Sequence, residues 1–111
     1  MVLDRKVPLS FIVKTTGEMV RTMPDEEEFT PSQIRDYVAG PPQVVCETRD
    51  GFLLFQNRDA GAQGLQVNSI ATAVYAEVSS KPAPVSGRVF LAHPDHVAPY
   101  WRRQITGATN R

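Results

Sequence analysis

The sequence is poor in the residues that support covalent cross-links, metal clusters and membrane spans. Cys46 is its one cysteine, so the chain can form neither an internal disulfide nor a cysteine-rich zinc site. Apolar runs such as residues 44–46 and 52–55 fall far short of the roughly 20 residues that a membrane-spanning helix needs. Residues 4–6 are charged, and no apolar stretch of the length found in a signal peptide follows them, so we expect no signal peptide. These absences together predict a soluble, cytoplasmic protein.

The sequence also lacks an excess of either charge. Lys and Arg total 12 and Asp and Glu total 12, a balance that argues against a nucleic-acid coat protein or a polybasic membrane binder. Apolar residues make up 41% of the 111 residues, enough to build the core of one domain. We therefore expect a single domain over residues 1–105, followed by a frayed tail at residues 106–111 that has little apolar content.

Alternating apolar residues and turn signals predict five strands. The strands are expected at residues 7–14, 18–23, 43–48, 52–56 and 87–92. The third and fourth form a hairpin, because Asp50 and Gly51 between them are the pair that a type I′ turn prefers. The polar residues 57–64 that follow predict a loop.

Two helices are predicted from their capping residues. Thr30 is the expected N-cap of the first, with Pro31 in the first helical position, Gln33 completing a capping box and Gly40 ending the helix. Asn68 is the expected N-cap of the second helix, at about residues 69–77. After the last strand, Asp95 or His93 is expected to open a short helical turn that runs through Trp101.

The order of these segments is strand, strand, helix, strand, strand, helix, strand. It predicts an α+β fold, in which a small antiparallel or mixed sheet of about five strands carries two short helices on one face. The acidic run at residues 25–28 precedes the first helix, where its charge favours the positive end of the helix dipole. We interpret it as a solvated charged segment, although adjacent carboxylates can also bind a cation.

The stretch from about residue 31 to 91 resembles a family of small phage- and plasmid-borne bacterial proteins known only as a domain of unknown function. The residues that carry the resemblance are Ile34 to Gly40, Val44 to Cys46, Asn57, Asn68-Ser69-Ile70-Ala71-Thr72 and Gly87-Arg88-Val89. Pro41-Pro42 departs from the family pattern, which continues directly into a strand. The resemblance implies a mobile-element origin and one small domain, and it implies no activity.

Residues 93–96 form the one cluster of His and Asp, with His93, Asp95 and His96 close together. Imidazole and carboxylate groups are zinc ligands, so the cluster could be the centre of a small metal-dependent hydrolase. Ala92-His93-Pro94-Asp95 is similar to the opening motif of a family of zinc-dependent deacetylases, but His96 stands where that family has its second Asp. The simpler interpretation is a turn or helix cap. Cys46, within an apolar strand, is expected to behave as a small hydrophobe.

Aromatic and basic residues follow this cluster. Residues 97–111 contain three arginines and no acid, and Tyr100, Trp101, Arg102 and Arg103 are consecutive. These residue types are frequent in protein interfaces, and they also stack on bases and contact phosphates. The simpler interpretation is that Trp101 closes the edge of the core, while the arginines are solvated or pair with the acidic run.

The sequence thus favours a non-catalytic binding module, a mobile-element accessory protein that docks on a protein partner or on its own copy. The expected contact residues are Tyr100, Trp101, Arg102, Arg103, Asn57 and Arg58, the last two from the polar loop. No cofactor is expected. Two alternatives stay open: a metal-dependent hydrolase centred on residues 93–96, and nucleic-acid binding through residues 100–103, which the zero net charge disfavours.

Overall fold

The computed structural model describes residues 8–105, in which five short strands form one antiparallel sheet with the order β2-β1-β5-β4-β3. The elements are β1 (Ser10–Val13), β2 (Met19–Thr22), α1 (Pro31–Val38), β3 (Pro42–Glu47), β4 (Leu53–Asn57), α2 (Ser69–Ala76), β5 (Val89–Ala92), a 3₁₀ turn (Pro94–His96) and α3 (Pro99–Arg102). The predicted α+β class is confirmed, and the sheet is antiparallel throughout. The predicted tail at residues 106–111 lies outside the described residues. Within residues 8–105, no helix is long and apolar enough to cross a membrane.

The sheet is buried on both faces, which corrects the prediction of helices on one face only. Leu54 and Leu91 belong to a core cluster that includes residues of α2, whereas Leu53 and Phe90 belong to a second cluster with residues of α1 and α3. Neighbouring residues of a strand point to opposite faces. Because the first three residues of β4 and all four residues of β5 are apolar and buried, each of these central strands needs a cover on either side.

The β3–β4 hairpin forms as predicted, but its turn is of another type. The Gly51 amide donates to the Thr48 carbonyl over 2.9 Å, and the Thr48 amide donates to the Phe52 carbonyl over 2.8 Å. Gly51 has φ +88°, while Asp50 is not among the residues with positive φ. A type I′ turn needs positive φ at both central residues, so the loop is instead a three-residue hairpin with its left-handed residue at Gly51.

The predicted capping box of α1 is present. The Thr30 hydroxyl accepts from the Gln33 amide, and the Gln33 side chain accepts from the Thr30 amide, both over 3.1 Å. At the other end, Ala39 rather than Gly40 takes the left-handed conformation, with φ 61°. Gly40 is required for another reason, because a Cβ at that position would lie 2.5 Å from the Asn57 amide nitrogen.

The N-cap of α2 also fixes the sheet. Asn68 is fully buried, and its side-chain oxygen accepts from the Ala71 amide over 3.1 Å, as the cap prediction requires. Its amide group donates to the Val13 and Gly87 carbonyls, each over 3.0 Å. One side chain therefore joins α2 to the end of β1 and to the turn that precedes β5.

Candidate functional site

Both histidines of the 93–96 cluster are buried and bonded within the fold. The Ser10 hydroxyl accepts from the His93 amide over 2.9 Å and lies 3.0 Å from His96 Nδ1. His93 Nδ1 accepts from the Asp95 amide over 3.0 Å, so the ring proton of neutral His93 lies on Nε2. Burial lowers the pKa of His96, the neighbouring His93 lowers it further, and Asp95 acts in the opposite direction. The cluster thus favours a neutral His96.

This geometry matches a turn that joins elements, which was the simpler interpretation. The capping side chain of the 3₁₀ turn is His93, whereas Asp95 leaves its own side chain 77% exposed, with an oxygen 3.8 Å from His93 Nδ1. Ser10 is fully buried and so cannot meet a substrate. Across residues 8–105, the structure brings together no three His, Cys, Asp or Glu side chains in an arrangement that could hold a metal ion.

Cys46 is a second potential nucleophile that the fold encloses. The thiol lies in the core cluster on the α2 side of the sheet, and 4% of the residue is exposed. Burial raises the pKa of Cys46 to about 12, with a smaller contribution from the neighbouring Glu47 carboxylate. The reactive thiolate is therefore scarce near neutral pH, in keeping with a cysteine that acts as a small hydrophobe.

The four candidate residues of α3 and its end have different surroundings. Trp101 is 5% exposed and packs edge-on against Phe55, with ring centroids 5.2 Å apart. Arg102 donates to Glu47 Oε1 over 2.9 Å, so its partner is β3 and not the acidic run. Arg103 is exposed. Tyr100 is 36% exposed and lies against the Trp101 ring at 4.7 Å, and it is therefore the large apolar group that this segment offers to solvent.

The two candidate residues predicted in the polar loop, Asn57 at the end of β4 and Arg58 after it, lie apart from α3. Asn57 pairs with Pro42 at one end of the β3–β4 hairpin, whereas Arg102 contacts Glu47 and Gly51 near the other end. Asn57 is 1% exposed, and its amide group donates to the Ala39 carbonyl while its oxygen accepts from the Asp59 amide. Its polar atoms therefore serve the fold. Arg58 is on the surface, 3.8 Å from Asp59.

A groove of about 410 Å³ lies between two segments that are distant in the chain. It is lined by residues 26–31, from the acidic run to the start of α1, and by Ala98, Tyr100 and Trp101. The Phe29 amide donates to the His96 carbonyl over 2.8 Å, and the Phe29 ring packs against the Phe90 and His96 rings. Phe29 therefore holds the acidic run, residues 25–28, beside α3. No local pattern of the sequence indicates this arrangement.

The groove combines carboxylates with aromatic rings. Glu26, Glu27 and Glu28 are exposed, and none of them forms an ion pair with another part of the described chain, residues 8–105. Within the same range, the indole N–H of Trp101 has no hydrogen-bond acceptor. A buried indole N–H usually has one. The groove is thus lined by carboxylates and aromatic rings, and one lining residue, Trp101, carries an N–H without an acceptor within residues 8–105.

Comparison of this chain with protein-family models, with curated proteins and with solved structures finds no match in any of the three. The resemblance to phage- and plasmid-borne proteins accordingly stays a prediction from the sequence.

Proposed function

We propose that the protein is a non-catalytic binding module that contacts a protein partner through the groove between the acidic run and α3. The groove carries this proposal, because it joins an aromatic floor to a polar, solvated rim. Interfaces between proteins have this composition, and Tyr and Trp contribute disproportionately to their binding energy. The sequence-based expectation of a cytoplasmic accessory protein of a mobile element is compatible with such a role and forms part of the proposal.

The surroundings of the potential nucleophiles and bases support a binding role over a catalytic one. Catalysis by a hydroxyl or thiol needs a nucleophile, a base and access for the substrate in one place. Ser10 and His96 are within hydrogen-bond distance, but Ser10 is fully buried and also bonded to the backbone of His93. Cys46 is buried on the α2 side of the sheet, in a different core cluster from the groove residues Phe29 and Trp101.

The charges at the groove favour a protein over a nucleic acid. Three glutamates line the groove beside Tyr100, and their charge would repel a phosphate backbone. Of the two neighbouring arginines, Arg102 already donates to Glu47. A base could still stack on Tyr100, but the phosphates on either side of it would meet carboxylates.

Site-specific photo-crosslinking tests the proposal. A benzoylphenylalanine in place of Tyr100 should give covalent adducts in cells of the producing host, and excess unmodified protein should compete them away. The matched control carries the same group in place of Lys81, an exposed residue of the connector that follows α2. Adducts at twice the 12.3 kDa mass of one chain indicate self-association, and other masses indicate a different protein. No adducts, or equal adducts at both positions, would contradict a binding role for the groove.

A further inference from the structure

We infer that the groove accepts an arginine or lysine side chain from an extended peptide segment of the partner. The cation would lie between the Tyr100 ring and the carboxylates of Glu26, Glu27 and Glu28. This inference rests on the proposed function and specifies its ligand. Charge, ring chemistry and an unfilled hydrogen-bond donor support it separately.

The charge of the groove selects a cationic occupant. Three consecutive glutamates line it, and no cationic side chain within residues 8–105 is paired with any of them. Adjacent like charges repel one another, and the repulsion increases where a neighbouring apolar wall excludes water. A cation in the groove would remove this repulsion, whereas an acidic or purely apolar segment would leave it in place.

The aromatic wall favours an organic cation over a metal ion. Tyr100 is partly exposed, and its ring lies against the Trp101 ring with the two centroids 4.7 Å apart. Guanidinium and ammonium groups are attracted to ring faces, and a planar guanidinium can at the same time bind a carboxylate through two hydrogen bonds. Arginine is therefore expected to bind more tightly than lysine. A hard cation such as Ca²⁺ would be indifferent to the rings.

The indole of Trp101 favours a peptide as the source of the cation. Trp101 is 5% exposed and lines the groove. Its indole N–H lacks a hydrogen-bond acceptor within residues 8–105. A backbone carbonyl of a bound segment is an acceptor that could fill this need. A free cation would offer none. An extended peptide with one basic side chain thus meets both the negative charge and the indole donor.

Three blocked pentapeptides of the form Gly-Gly-X-Gly-Gly test this inference, with arginine, lysine or citrulline at X. Citrulline has nearly the shape of arginine without its charge. Trp101 is the one tryptophan of the chain and lines the groove, so its fluorescence reports occupancy directly. We expect saturable fluorescence changes with the arginine and lysine peptides, in that order of affinity, and at least about tenfold weaker binding of the citrulline peptide. Affinity should fall with added salt.

Two charge-matched variants separate the groove from the overall field of the protein. The E26Q/E27Q/E28Q variant should bind the arginine peptide about tenfold more weakly. The E18Q/D36N/D59N variant loses the same number of carboxylates at sites outside the groove, and its affinity should change by less than about twofold. The Y100L variant keeps an apolar side chain without a ring, and about threefold weaker binding is expected. Circular dichroism checks that each variant is folded.

Equal binding of the citrulline and arginine peptides would overturn the inference, as would unchanged affinity of the E26Q/E27Q/E28Q variant. A fluorescence response to Ca²⁺ without any response to the peptides would also overturn it and identify a metal-ion site. If crosslinks at position 100 persist while no basic peptide binds, the binding module stands and the cationic ligand is rejected. If the crosslinks also fail, the proposed function is rejected as well.

Discussion

Two polar clusters of this protein have opposite relations to solvent. In the cluster of Ser10, His93 and His96, the side chains are buried and their hydrogen bonds are made within the fold. In the groove, the carboxylates of residues 26–28 are exposed and lack ion pairs to any other described residue between 8 and 105. The first cluster has the residue types of a catalytic or metal site, and the second has those of an ordinary charged surface.

The difference teaches that residue type indicates function only after the hydrogen bonds have been assigned. The Nδ1 atom of His93 accepts a hydrogen bond from the Asp95 amide. Its lone pair is therefore already used and is not available to a metal ion or to a substrate proton. The groove carboxylates of residues 26–28, by contrast, are exposed and are not used in an ion pair within residues 8–105. Removing groups from each cluster should therefore change different properties: stability for the buried cluster, and binding for the groove.

The largest expected loss of stability follows from Ser10→Ala. The substitution removes the acceptor of the buried His93 amide and the partner of His96 Nδ1, and we expect the free energy of unfolding to fall by about 3 kcal/mol. Urea denaturation measures the change. The control is Ser32→Ala, at an exposed position of α1, with an expected effect below about 0.5 kcal/mol. Equal effects of the two substitutions would show that the buried network contributes nothing special.

The next largest effect separates the two loop residues that the sequence placed together. Asn57→Ala leaves the Ala39 carbonyl and the Asp59 amide without their partner, and it should cost about 2 kcal/mol of unfolding free energy. Arg58→Ala, on the surface, should cost less than about 0.5 kcal/mol. Chemical denaturation of both variants tests this order. A larger loss of stability in Arg58→Ala than in Asn57→Ala would contradict the structural role of Asn57.

A smaller effect is expected from pH. Burial lowers the pKa of His96 in the folded state, so the unfolded chain takes up a proton that the folded chain does not bind. The free energy of unfolding should then decrease as the pH falls below about 6.5, the ordinary histidine value. Thermal melting between neutral pH and about pH 5.5 measures this dependence. It should become weaker in His96→Gln, and an unchanged dependence would mean that another group is responsible.

The smallest stability effect is expected in the groove. The E26Q/E27Q/E28Q variant should unfold within about 0.5 kcal/mol of the original protein, because these carboxylates are exposed and make no ion pair to residues 8–105. If the acidic run served chiefly to stabilise α1 through its dipole, the loss would approach about 1 kcal/mol and peptide affinity would not change. Urea denaturation together with peptide titration distinguishes these roles.

Features that depend on near neighbours in the chain were predictable from the sequence. Thr30 and Gln33, like Asn68 and Ala71, meet within one helical turn, so both N-caps could be predicted from residue type and spacing. The five strands and the hairpin also follow from local alternation and a local turn signal. The predicted type I′ turn was wrong, because the dipeptide Asp50-Gly51 does not by itself show which of its residues takes positive φ.

Features that depend on distant contacts were not predictable. Whether α2 covers the same face of the sheet as α1 depends on how the chain crosses over after β4, and no residue pattern records that path. The groove exists because Phe29 pairs with the backbone of His96, far along the chain. The sequence offered Tyr100 and Trp101 as candidate contact residues, which stays a prediction, and it could not show that the acidic run lies opposite them.

Trp101 belongs at once to the hydrophobic core and to the wall of the groove. Because the Trp101 ring also packs edge-on against Phe55, a ligand in the groove would contact a side chain of the core. A ligand that binds the folded chain but not the unfolded chain raises the melting temperature of the protein. At a ligand concentration one hundred times the dissociation constant, the free energy of unfolding increases by about 2.7 kcal/mol. Heat resistance measured across a peptide library thus becomes a label-free way to find the sequence that this protein recognises.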